Sequence, residues 1–180
     1  SVTSLADSER LARALRRAPH QPEVALAELL DSTQQEHQLD FLHFLDLARS
    51  RADAGSWPVI ASALAGTART ETEVFTAPQL FAISPTLANR ALTPVIPTPN
   101  ARPDSRQAET GGLVIHAAAP VRDAGGRLIG VLTGGVLLNK NLDFIDRLNA
   151  IVYPDGALPL GSAGTATLFL GDVRVATNVR

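Results

Sequence analysis

Cysteine and methionine are both absent from the 180 residues. Without thiols the chain has no disulfide, no cysteine nucleophile and no thiolate-ligated zinc. Without a methionine at position 1, Ser1 reads as the start of an excised fragment, with any signal or anchor segment outside it. Aromatic residues are few, at 4%, with a single Trp and a single Tyr. No apolar run approaches the ~18 residues that a membrane-spanning helix needs. Fifteen of the 16 basic residues are Arg, the net charge is −2, and no basic face is clustered enough to suggest nucleic-acid binding. What is present is a 45% hydrophobic fraction. That composition excludes disorder and collagen, and the length suits one domain, or one domain and part of a second.

Local patterns divide the chain. Residues 4–17 place Leu5, Leu11, Ala12 and Leu15 at helical spacing, with Ser4 and Asp7 as candidate N-caps. Pro19 and Pro22 interrupt this pattern, and Pro22 suits the first turn of a second helix over about residues 23–36. Its apolar stripe is Val24, Leu26, Ala27, Leu29 and Leu30. Residues 39–46 are dense in Leu and Phe, and so short a run fits either a helix or a buried strand. Ser56-Trp57-Pro58 begins a further helix that Gly66 stops. Residues 72–76 read as a short strand, and 77–90 as two helical turns split by Pro85. Residues 92–106 hold prolines at 94, 97, 99 and 103 and read as extended loop. The clearest unit is a hairpin of residues 113–121 and 127–138, turned by Asp123-Ala124-Gly125-Gly126. An amphipathic helix over 141–152 follows, then a second hairpin of 166–170 and 173–177 around Gly171-Asp172. Helices before and after an antiparallel sheet define an α+β fold.

Two groups of residues invite chemistry. Glu36, His37, Asp40, His43 and Asp46 fall within eleven positions. On a continuous helix, His37, Asp40 and His43 share a face and offer zinc two imidazoles and a carboxylate. On a strand, Asp40 faces away from the two histidines and the ligand set dissolves. His116 stands in mid-strand among apolar residues, so its ring needs a hydrogen-bond partner or water. The alanines at 117–119 and Thr133-Gly134-Gly135 on the next strand leave space beside it, and glycine within a strand marks a bulge or a close backbone approach. Such a histidine is either a satisfied core residue or part of a pocket. No Gly-x-Gly-x-x-Gly, Walker lysine or nucleophile elbow occurs.

The runs Gly111–Val121, Gly126–Leu132, Gly134–Asn141 and Thr165–Val179, together with Trp57-Pro58-Val59-Ile60 and Ala63–Gly66, resemble Cache domains. The type is the Cache 3/Cache 2 fusion of bacterial histidine kinases and chemoreceptors. The likeness covers most of residues 38–179. It implies a periplasmic, PAS-like sensor of an inner-membrane signal-transduction protein, with an N-terminal helical stalk on one sheet face and a ligand pocket on the other. It implies no cofactor and no catalysis in this fragment, any kinase module lying elsewhere. The implied partner is a small carboxylate or amino acid, with homodimerisation through the N-terminal helices. The implied organisation is a stalk at 1–37, the sensor domain at 38–152, and at 153–180 the start of a second Cache-like half. Residues 39–46 become the first strand and 47–52 the second. The pattern departs at Asp46, which runs directly into Leu47-Ala48-Arg49-Ser50 where the family has a turn.

On strand-face arithmetic His116 shares a face with Ala118, and Thr133 with Gly135. His116, Ala118 and Thr133 are the expected pocket residues and Trp57 its aromatic wall. Arg49 or Arg90 is the expected positive charge for an anion. The rival readings are a metal site at His37, Asp40 and His43, and a ligand-free dimerisation scaffold.

Overall fold

The computed structural model describes residues 22–96, 105–154, 156–159, 162 and 164–179. The residue 4–17 helix and the prolines at 97, 99 and 103 lie outside them. In chain order the elements are α1 (Pro22–Glu36), β1 (Phe41–Asp46), α2 (Leu47–Asp53), α3 (Pro58–Leu64), β2 (Arg69–Phe75), α4 (Ala77–Ile83) and α5 (Pro85–Ala91). There follow β3 (Thr93–Pro94), β4 (Ala108–Glu109), β5 (Gly112–Arg122), β6 (Leu128–Leu137), α6 (Leu142–Val152), β7 (Thr167–Leu170) and β8 (Val173–Thr177). The fold is α+β around a four-stranded antiparallel sheet of order β1-β6-β5-β2. No helix among the described residues is long and apolar enough to cross a membrane.

Two compact units share the chain. The first runs up to Glu73 and takes in Ile115–Val136. Its α1 ends where Gln38 adopts a left-handed φ of 53°, with Leu39 N–H donating to the Gln34 carbonyl at 2.9 Å. This closure releases the carbonyls of the last turn from solvent and turns the chain into β1. β1 pairs with β6 without interruption, from Phe41 opposite Gly135 to Asp46 opposite Gly130. Alternation sends Leu42, Leu132, Ala117, Ala119 and Val121 to one sheet face, where Leu26, Leu29 and Leu30 of α1 cover them. The opposite face carries Ala118 and Val131 beneath Val59, Ile60 and Ala63 of α3.

The glycines of β6 serve close approach rather than a bulge. A Cβ on Gly135 would lie 2.7 Å from the Ile115 carbonyl oxygen and 2.8 Å from the Phe41 ring. The bare glycine is what lets that ring lie flat on the strand.

The structure corrects the second-strand assignment. Residues 47–52 belong to α2, because Asp46 caps them: its Oδ1 accepts from Arg49 N–H at 2.7 Å. Ser50 Oγ reinforces the turn by donating to the Asp46 carbonyl at 2.7 Å, and Arg49 pairs with Asp53 one turn on, at 2.9 Å. A side-chain cap of this kind starts a helix without any intervening loop, so a single capping residue carries β1 directly into α2.

The second unit comprises Val74–Val114 and the residues from Leu137 onward. Its connections converge on Asn139, which is 1% exposed. The Asn139 amide donates to the carbonyls of Ala91 (2.9 Å) and Gly111 (3.0 Å), and its Oδ1 accepts from Leu113 N–H at 2.9 Å. One side chain thus satisfies three backbone groups and ties the end of α5 to the start of β5. The Pro-rich region is not wholly loop, since Thr93 and Pro94 pair with Glu109 and Ala108. The expected hairpin of β7 and β8 is present, turned at Gly171 with φ +60°. Asn139→Ala should cost about 3 kcal/mol, read as a lower urea midpoint, because it strands three backbone groups.

Candidate functional site

Four strands each contribute one polar side chain to a single row across one face of the sheet. His116 of β5 is 3% exposed and Thr133 of β6 is 5% exposed, so both need partners inside the protein. Thr133 Oγ1 lies 2.7 Å from His116 Nε2, and Glu73 Oε2 of β2 lies 2.5 Å from His116 Nδ1. On the far side, His43 of β1 sits directly opposite Thr133 in the ladder, which places both side chains on one face. The row therefore runs His43, Thr133, His116, Glu73 in strand order.

Aromatic rings frame it. The Phe41 ring centroid is 5.9 Å from both imidazoles, and the Trp57 indole meets His116 edge-on at 5.2 Å and 88°. Trp57 holds this position as the residue before Pro58, which opens α3.

The hydrogen-bond network assigns the protons. A carboxylate only accepts, so His116 Nδ1 carries hydrogen toward Glu73. Burial pushes the His116 pKa below 6.5, and its bond to and the charge of Glu73 oppose this only in part. In the neutral ring Nε2 accepts, and Thr133 donates to it at 2.7 Å in preference to the Ala117 carbonyl at 3.3 Å. His43, although exposed, is also lowered, by desolvation on the sheet face and by the charge of Arg49.

The structure brings His116, Thr133, Ala118 and Trp57 together on this face. Arg49 stands on α2 rather than on a strand and is engaged by Asp53, although its charge reaches His43. Arg90 lies on α5, in the second unit. The proposed metal helix does not exist: α1 stops at Glu36, Gln38 turns the chain, and His43 is on a strand. Among the described residues no group of three or more His, Asp or Glu side chains is placed to hold a metal ion.

Sequence reasoning missed Glu73 and Phe41 as neighbours of His116, and His43 as a member of the same face. The signal for Glu73 was present in Arg69-Thr70-Glu71-Thr72-Glu73, whose period of two sets both glutamates on one face. Glu73, His116 and Thr133 follow the carboxylate–imidazole–hydroxyl order of a hydrolytic relay. Here the hydroxyl is buried in the middle of a central strand, where the relay locks the ring's orientation.

Both histidines have pKa values below their unfolded value of 6.5. As pH falls through 6.5 the unfolded chain takes up protons before the folded one does. Stability is therefore fully present above 6.5, declines on acidification, and levels once the folded rings protonate. Urea midpoints should fall from pH 8 to pH 5, and His116→Gln should flatten part of that slope. A midpoint that rises on acidification would mean that pairing with Glu73 outweighs burial.

No protein-family model matches the chain, and no curated protein matches it.

Proposed function

We propose that the chain is a ligand-binding sensor module of PAS-like type, the extracytoplasmic part of a bacterial transmembrane signalling protein. The observation that carries the reading is the difference between the two sheet faces. One packs Leu42, Ala117, Ala119, Val121 and Leu132 against the leucines of α1. The other concentrates buried hydrogen-bonding groups beside the Trp57 and Phe41 rings. Small-molecule sites combine apolar walls with a few fixed polar groups in this way. A small polar metabolite, of the carboxylate and amino-acid classes that the Cache resemblance implies, occupies the polar face. It is bound and not transformed. Binding favours one of two conformations, and the shift passes through the sheet to α1 and the stalk. The output, kinase or chemoreceptor, resides in segments beyond these residues.

The experiment is a thermal-shift screen against small carboxylates and amino acids. A ligand at a hundredfold its dissociation constant adds about 2.7 kcal/mol, a rise of roughly 5–10 °C for a chain of this size. The shift should disappear in His116→Ala. A shift that survives that substitution unchanged places the ligand elsewhere, and no shift with either class removes support for the module as a sensor of them.

A further inference from the structure

We infer that this face selects its ligand through a positively charged nitrogen, an ammonium group held by Glu73, rather than through a carboxylate. The inference rests on the ligand-binding reading above and names the chemistry of that site.

The argument is a charge census of the polar face. Arg49 is matched by Asp53 at 2.9 Å, and Glu71 is matched by Arg69. Asp46, on the opposite face, is committed to the α2 N-terminus through Arg49 N–H. That leaves Glu73, whose only partner among the described residues is the His116 ring. A ring that favours its neutral form compensates the carboxylate by a hydrogen bond, not by a charge. The Glu73 side chain keeps 12% of its surface exposed, and only Oε2 is engaged by His116. Among the described residues Oε1 has no donor, and the carboxylate sits at the edge of a desolvated site. An anion brought there meets like charge where screening is weak.

The rings point the same way. A cation within ~6 Å of a Trp or Phe face gains from the ring quadrupole, and the Trp57 and Phe41 rings both lie within 6 Å of the His116 ring. An ammonium supplies the three donors that a free carboxylate oxygen and aromatic faces accept.

The test is calorimetric titration of the 180-residue chain at pH 8 with putrescine, γ-aminobutyrate and succinate. These probes have four carbons each and carry two ammonium ends, one of each kind, and two carboxylate ends respectively. Putrescine and γ-aminobutyrate should bind and succinate should not. Glu73→Gln keeps an oxygen to accept from His116 but drops the charge, and should weaken both amines about tenfold, the equivalent of about 1.4 kcal/mol. Where that variant fails to fold by circular dichroism, Trp57→Leu provides the second arm and should weaken the amines alone. Succinate binding as tightly as γ-aminobutyrate overturns the charge inference and leaves the sensor reading standing. Amine binding unchanged in the substituted chain overturns it equally. Binding by none of the three overturns both.

Discussion

An imidazole buried in the middle of an antiparallel sheet constrains everything around it. Its two nitrogens point along the sheet, so their partners must come from the strands on either side. His116 takes Glu73 from β2 and Thr133 from β6. A slip of one residue in either neighbour would send that partner to the opposite face and leave a ring nitrogen unsatisfied in a dry environment. The polar row therefore acts as a register lock, worth more to the uniqueness of the pairing than to its net stability. Apolar strands alone specify register through size, whereas this row specifies it through unmet hydrogen bonds.

The lock has a steric counterpart. β6 is thin where β1 crosses it: a Cβ at Gly134 would stand 2.9 Å from the Phe41 carbonyl oxygen, and one at Gly130 2.3 Å from that of Leu45. Side-chain bulk is concentrated instead on β1, whose Phe41 packs over the bare backbone of Gly135 and reaches both imidazoles. Glycine here weakens intrinsic strand propensity but creates room for an aromatic ring beside a buried polar group.

Elements with strong local signals were legible in the sequence. The β5–β6 hairpin, α6 after Asn141, and α4 and α5 split at Pro85 all follow from turn residues, caps or proline, and each of these acts within a few residues. Asp123 shows why: its Oδ1 accepts from both Gly125 and Arg127 N–H and closes the turn by itself. The second strand failed because Leu47-Ala48-Arg49-Ser50 has no decisive periodicity of its own. Its helical state depends on one aspartate cap and on the Arg49–Asp53 pair. The site was half legible. Strand-face arithmetic paired His116 with Ala118 and Thr133 with Gly135 within their own strands, since alternation is local. Glu73 lies 43 positions before His116, and only the β2–β5 pairing, a long-range fact, joins them.

That pairing changes what the site can recognise. A histidine read alone in a strand is a candidate cation and a natural partner for an anion. Bound to a glutamate and stripped of water, it becomes a neutral positioning group, and the negative charge of the cluster belongs to Glu73. Arg49 cannot restore the balance, because its guanidinium is held by Asp53 on the surface of α2. Moving it onto the sheet would break the ion pair and desolvate a group that is strongly hydrated at its present 68% side-chain exposure. In the proposed reading, the sign of the preferred ligand follows from a residue that the sequence did not single out. It follows because burial decides which member of a hydrogen-bonded pair keeps its charge.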